Sequence, residues 1–298
     1  MRFILLLLCA ALLSGCVRHL GAPTEPAPAL PDYALGGVEH RIYTPPDWPQ
    51  ELQADVYLPR AQGPRPAVLV VHGGGWERRS PQDMEGIARA LAEHGFVAVN
   101  IGYRFAPEYT FPAQLQDLQM AMRWLHVHAA EFGIDRGRVG AWGYSSGAHL
   151  VALLATVASD GGSPLNQPYG GPVTLPRAVV AGGTPTDLRK FQGGKLVPQF
   201  LGGSQAERPD VYASASPITH VTAATPPFFL YHGTLDHVVP VDHAEDFRAA
   251  LQANGVRNEL FLLRGRGHIA TFLLGGSAER AAMEFLAREL ALPEAGTR

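Results

Sequence analysis

Apolar and polar positions along this chain follow two rhythms. Short runs in which nearly every residue is apolar recur: AVLVV (67–71), FVAVNI (96–101), RVGAWG (138–143), RAVVAG (177–182), PPFFLYHG (226–233) and NELFLLRG (258–265). Runs of this kind suit strands covered on both faces, as in a parallel sheet. Between them lie stretches with helical spacing. MEGIARALAEHG (84–95) predicts a helix ended by Gly95. Residues 112–133 place Leu115, Leu118, Met122 and Leu125 on one helical face, with Gly133 as the stop. SGAHLVALLATVA (146–158), DHAEDFRAALQANG (242–255) and SAERAAMEFLARELA (277–291) predict further helices. Near the start, EHRIYTP and LQADVYLP alternate like an antiparallel strand pair. Strands alternating with helices imply an α/β fold, with a mostly parallel central sheet and helices on both faces.

Composition narrows this picture. The chain has 298 residues, 46% hydrophobic and 17% charged, which fits one α/β domain. The formal net charge is −3 and no basic stripe is present, so nucleic acid is not an expected partner. Both cysteines, Cys9 and Cys16, lie in the first sixteen residues. The remainder therefore has no disulfide, no cysteine metal site and no cysteine nucleophile. No H-E-x-x-H spacing suggests a metal, and HGGGW lacks the Gly-Lys-Ser/Thr of a phosphate loop. No cofactor is expected.

The N-terminus reads as a targeting segment. Arg2 precedes an apolar run too short to span a bilayer, which takes roughly 20 residues. The ending Leu13-Ser14-Gly15-Cys16 resembles the lipobox of bacterial lipoproteins, in which the cysteine becomes the lipid-modified first residue. A plain signal peptide with an incidental cysteine is the other reading. Val17 follows, where an aspartate would favour the inner membrane in some bacteria. The expectation is a signal peptide at 1–15, a lipidated Cys16 with a proline-rich tether at 16–35, and a catalytic domain at 36–295. The chain would then be held at a membrane of the cell envelope, the outer membrane facing the periplasm, or be secreted. Lipid attachment achieves this without a spanning helix.

The chemistry is concentrated at strand ends. Gly143-Tyr144-Ser145-Ser146-Gly147 fits G-x-S-x-G between a predicted strand and a predicted helix, the context of a nucleophile elbow. Glycines at both ends permit the tight turn. Ser145 is the candidate nucleophile, and Ser146 offers its backbone N–H at the helix start. HGGGW (72–76) directly follows AVLVV, and its glycines let N–H groups approach a ligand. Gly74 and Gly75, with Ser146, are the candidate oxyanion donors. Acyl transfer builds charge on a carbonyl oxygen, and each donor is worth roughly 2.7–4 kcal/mol of barrier. A weak nucleophile needs a base, and the base an orienting acid, in the order Ser, acid, His. Asp236 and His268 each follow a predicted strand, where ligand sites of open α/β sheets lie. Asp187 and Asp242 are the rival acids. His237 and His243 precede a helix on the acid's own loop.

The segments HGGGW, NIGYRFAPEYTFPAQLQD, GYSSGAHLVALLA, YHGTLDHVVP and GRGHIATF together resemble α/β-hydrolases of the esterase and lipase type. The similarity covers about residues 52–290. It is nearest to the hormone-sensitive-lipase-like and bacterial feruloyl-esterase-like carboxylesterases. The resemblance implies a Ser145–His268–Asp236 triad that hydrolyses small esters through an acyl-enzyme. It also implies that Tyr103, Arg104, Pro107, Glu108 and Asp117 brace the oxyanion loop. The elbow departs from the Gly-Asp-Ser-Ala-Gly usual in the hormone-sensitive-lipase-like branch, which favours the feruloyl-esterase-like side. Residues 187–217 occupy the place where such hydrolases insert a lid. There Phe191 and Phe200 either shape the pocket, with Trp76 beside the oxyanion loop, or fill the core. An amide or peptide hydrolase on the same fold, or a non-catalytic binding protein, are the alternatives.

Overall fold

A computed structural model describes residues 17–292 of the chain. Cys16 and the signal segment lie outside the described residues. The described residues form one nine-stranded sheet: β1 (Val17–Leu20), β2 (Leu35–Ile42), β3 (Gln53–Pro59), β4 (Arg65–Val71), β5 (Val97–Ile101), β6 (Ile134–Tyr144), β7 (Val179–Gly182), β8 (Phe228–Gly233) and β9 (Asn258–Leu263). Their order across the sheet is β1-β9-β8-β7-β6-β4-β5-β3-β2. The six strands from β9 to β5 in that order run parallel. β1 and β3 join them antiparallel, and β2 pairs antiparallel with β3.

Helices cover both faces, as the apolar runs require. On one side lie α2 (Ala113–Val127), α3 (Ser146–Ser159) and α6 (Asp242–Ala253). On the other lie α1 (Glu85–Glu93) and α8 (Gly276–Glu289). β4 shows why its sequence has no polar residue from Ala67 on. Ala67, Leu69 and Val71 enter the first core while Val68 and Val70 enter the second, and all five are buried. A two-residue period between two hydrophobic layers leaves no position for a polar side chain. α2 ends at Val127, earlier than Gly133 suggests; Gly133, at φ 62°, ends the loop that follows. Residues 187–217 contain only short helices, α4 (Leu196–Leu201) and α5 (Pro209–Ser214), laid over the sheet's carboxyl ends. α7 (His268–Leu273), also short, was not evident from the pattern.

The expected tether is the main departure. Val17–Leu20 is not tether but an edge strand, in register from Val17 opposite Leu263 to Leu20 opposite Leu260. His19 also meets Glu259 at 2.9 Å and packs edge-on against Phe229. Gly21 follows at φ 72°, where a Cβ would stand 2.5 Å from the Asn258 carbonyl oxygen. The proline-rich stretch after it lies along the domain. His94 Nδ1 bonds the Pro31 carbonyl at 2.7 Å, the Tyr33 N–H donates to Glu93 O, and the Arg65 guanidinium lies over the Tyr33 ring. The physical reason is the open edge of β9, whose unpaired backbone groups find partners in β1.

Candidate active site

The segments that follow β4, β6, β7 and β8 line one cavity, and His268, which follows β9, reaches its Ser145. Ser145 occupies the turn from β6 into α3 at φ 55°, a left-handed conformation that a non-glycine residue keeps only when its surroundings enforce it. Two glycines enforce it. A Cβ on Gly143 would stand 2.3 Å from Gly147 O, and one on Gly147 would stand 2.2 Å from Val71 O. The Ser145 N–H donates to Gly182 O on β7 at 2.8 Å. The turn is thus fixed from three strands.

His268 begins α7, just past β9. Its Nε2 lies 2.9 Å from Ser145 Oγ, and its Nδ1 lies 2.6 Å from Asp236 Oδ2. A carboxylate can only accept, so Nδ1 carries the proton and Nε2 is left to accept from the Ser145 hydroxyl. Asp236 stands on the loop after β8, where Val238 and Val239 N–H groups donate to Oδ1 at 2.9 and 2.8 Å. Burial pushes its pKa up, but hydrogen bonds from His232, His268 and Val239 outweigh burial and hold it well below the usual carboxylate range. The structure therefore brings Ser145, His268 and Asp236 into one row.

The rival acids stand elsewhere. Asp187 is paired with Arg189 at 2.7 Å, and Asp242 with Lys190 at 2.8 Å. His237 is exposed. His243 is buried, and its Nδ1 faces the Thr186 and Asp187 N–H groups. Burial and nearby Lys190 lower its pKa to about 4, so it is neutral and without contact to Asp236 or Ser145.

The glycine loop lies against the nucleophile. A Cβ on Gly73 would be 3.3 Å from Ser145 Cβ. Gly74 and Gly75 adopt φ 116° and 65°, conformations that favour glycine at both positions. Gly75, Trp76, Ser145 and Ser146 line a cavity of about 200 Å³, closed by Phe191 and Leu196 of the overlying segment. Gly74 lies one residue behind that wall. Ser146 is the first residue of α3, so its N–H is among those a helix leaves without an intrahelical acceptor. Phe191 lines the cavity, whereas Phe200 is fully buried and stacks on Trp76 at 4.5 Å. The two aromatics of the segment thus divide between the two readings.

Behind the loop is a buried polar brace. Arg104 donates to Asp117 through Nε at 2.8 Å and through its backbone N–H at 2.9 Å, and Trp48 Nε1 donates to the same carboxylate at 2.8 Å. The Tyr103 hydroxyl reaches His72 O at 3.2 Å, its ring stacks on His72, and the Ala106 N–H donates to Trp76 O. Pro107 and Glu108 are exposed and stand outside this network.

Three further residues belong to the site and were not singled out from the sequence. His232, on β8, stands 3.4 Å from Asp236 Oδ2. His149, on α3, accepts from Trp76 Nε1 at 3.2 Å and donates through Nε2 to Ala215 O at 2.7 Å. Burial lowers its pKa to about 4, consistent with this neutral tautomer. Tyr144 donates to the His268 carbonyl at 2.6 Å, and burial raises its pKa. The only signal for Tyr144 was the unusual second position of the elbow; the other two are tertiary contacts. Among the described residues no group of His, Cys, Asp and Glu is disposed to hold a metal ion.

The chain is similar to known esterases. The model of the BD-FAE family matches residues 54–251, more than half of the chain. Esterase LipC of Mycobacterium tuberculosis is 31% identical over 260 residues, covering 82% of this chain and 64% of LipC. Esterase LipQ of the same organism is 33% identical over 205 residues, covering 65% of this chain and 48% of LipQ. The chain thus spans less than two thirds of the length of these curated relatives. The solved structure of esterase Est2 from Thermogutta terrifontis superposes with a TM-score of 0.74 at 26% identity, covering 88% of this chain and 95% of that one. Est2 has also been solved with butyrate bound and phosphonylated by sarin.

Proposed function

The chain belongs to the BD-FAE family of α/β-hydrolases, and on that premise we propose that it is a serine carboxylesterase acting on small esters. The observation that carries this reading is the row Asp236–His268–Ser145 opening into a cavity of about 200 Å³. Ser145 Oγ attacks the ester carbonyl while His268 Nε2 takes its proton. Asp236 holds the imidazole in the needed tautomer and stabilises its charged form. Backbone N–H groups of Gly74, Gly75 and Ser146 hold the oxyanion. The alcohol leaves with the proton from His268, and water, activated by the same nitrogen, releases the acid.

The cavity is smaller than the roughly 300–1,000 Å³ of drug-sized sites, which favours short acyl groups. The butyrate held by Est2 points the same way. Residues 1–15 act as a signal peptide and Cys16 as the lipid attachment point, which places the enzyme on an envelope membrane, the outer one facing the periplasm. The lipobox-like Leu13-Ser14-Gly15-Cys16 supports this part of the reading.

The test is hydrolysis of p-nitrophenyl esters from acetyl to dodecanoyl by the soluble chain, with Ser145→Ala beside it. A short-chain optimum is expected, with loss of at least about 10⁴ in turnover in the variant. A fluorophosphonate should label the Ser145 peptide alone. An unchanged rate in Ser145→Ala, or a label elsewhere, would overturn the assignment.

A further inference from the structure

The exposed apolar side chains are not scattered. Among the described residues, five of the eight large exposed hydrophobics are Leu235, Val238, Ile269, Leu273 and Leu274, each more than half exposed. They come from two segments only: the loop that carries Asp236 and the helix that begins with His268. The segments are joined, since the Leu235 N–H donates to Arg266 O at 2.9 Å. Ile269 and Leu273 are four residues apart, on one face of α7. Val238 also lines the cavity at Ser145, so the patch runs into the mouth of the site. Scattered surface leucines need no explanation, but a contiguous apolar rim marks a surface that meets something.

The register of β1 says what that is. Val17 pairs with Leu263, the last residue of β9, five residues before His268. One peptide bond, about 3.8 Å between Cα atoms, joins Val17 to Cys16. Because β1 runs antiparallel to β9, the chain enters the sheet at the end where the site lies. Strand pairing is already in place at the residue after Cys16, which leaves little slack. Arg18 is exposed at the same edge, where it suits anionic headgroups.

We propose that the apolar rim Leu235–Val238–Ile269–Leu273–Leu274 docks on the lipid surface that holds Cys16, so that the mouth of the catalytic cavity faces the bilayer. This rests on the reading of Cys16 as the lipidated residue. A long tether would let the domain tumble; an anchor joined directly to β1 presses one end of the sheet to the membrane. The rim then adds apolar burial to the anchor, as two membrane signals together give stable attachment.

The mature chain lacks any other cysteine, so a single label can be placed. The lipidated protein carrying Leu274→Cys, labelled with an environment-sensitive fluorophore, is reconstituted on phosphatidylethanolamine–phosphatidylglycerol vesicles. Val127→Cys, on an exposed residue at the C-terminal end of α2 and so at the far end of the sheet, is the comparison. A blue-shifted emission at 274, quenched by a bilayer-embedded quencher, is expected, with a water-like spectrum at 127. Adding Leu273→Gln should move the 274 spectrum back toward water while hydrolysis of a water-soluble ester stays within twofold. Water-like spectra at both positions, on vesicle-bound protein whose acylated Cys16 is verified by mass spectrometry, would overturn the docking and leave the anchor standing. A free Cys16 by mass would overturn the anchor, and with it the docking.

Discussion

Two carboxylates, Asp236 and Asp117, are both buried and both saturated with hydrogen bonds, yet they hold different partners. Asp117 faces Arg104, whose charge is permanent, and stands wholly inside the fold. Burial raises its pKa against the pull of Arg104 and Trp48. Asp236 faces His268, a ring that can gain and lose a proton, and its pKa is held down despite burial. A fixed ion pair can only brace. A carboxylate opposite an imidazole changes its electrostatic worth when the imidazole becomes charged, and that is useful in a transition state. The same side chain thus serves position in one region and chemistry in the other.

The largest effect should come from Asp236→Asn. The geometry can persist, but the amide can donate to Nδ1 and favour the wrong tautomer, so turnover should fall by about 10⁴. Thermal stability should change far less than activity. Steady-state kinetics beside a melting curve would check this; comparable activity in Asp236→Asn would collapse the distinction drawn between the two acids.

Asp117→Ala should behave in the opposite way. Removing one partner of a buried pair leaves Arg104 uncompensated, at a cost of about 3–5 kcal/mol. For a domain of this size that lowers the melting temperature by about 10 °C. Activity per folded molecule, measured well below the melting point, should fall by less than tenfold. A loss of turnover as large as that of Asp236→Asn, with stability intact, would put Asp117 in the chemistry.

Acid should weaken the packing around the glycine loop through two buried imidazoles. His72 and His149 are fully buried, and burial lowers each pKa from 6.5 to about 4. Between those values the unfolded chain binds protons that the folded one refuses. The stability is whole above about pH 6.5 and is lost as pH falls toward 4, by up to about 3 kcal/mol for each ring. Melting temperature against pH should show this slope, and His149→Gln should flatten part of it. A flat profile across that window would mean these rings are protonated in the native state.

What the sequence revealed and hid follows from the range of the contacts involved. The buried strands were legible because a strand between two hydrophobic layers admits no polar residue, as in AVLVV. The elbow was legible because a chain reversal that tight demands Gly143 and Gly147, two and two residues from Ser145. β1 was not, since its four residues carry no strand signal before a run of prolines and its partner His19–Glu259 spans 240 positions. His149 and His232 were hidden for the same reason: their roles exist only once Trp76, Ala215 and Asp236 have been brought to them. Tyr144 was visible as an oddity in the elbow, but its hydroxyl is explained only by the His268 carbonyl it meets.

The smallest effects sharpen the comparison most, because they test whether an acid near the site matters merely by being near. Asp187 and Asp242 follow strands as Asp236 does, and sequence order alone would admit either. Both are spent on pairs with one exposed member: Asp187 on Arg189, which is 42% exposed, and Asp242 on Lys190 while itself 55% exposed. Exposed pairs contribute about 0–1 kcal/mol. Asp187→Asn and Asp242→Asn should therefore each leave kcat/KM for a short ester within twofold and the melting temperature within about 2 °C. What separates them from Asp236 is two backbone N–H groups and two imidazoles, His268 and His232, which hold a buried carboxylate in a fixed direction. A hundredfold loss in either variant would show that His268 takes its orientation from another acid than the one 2.6 Å away.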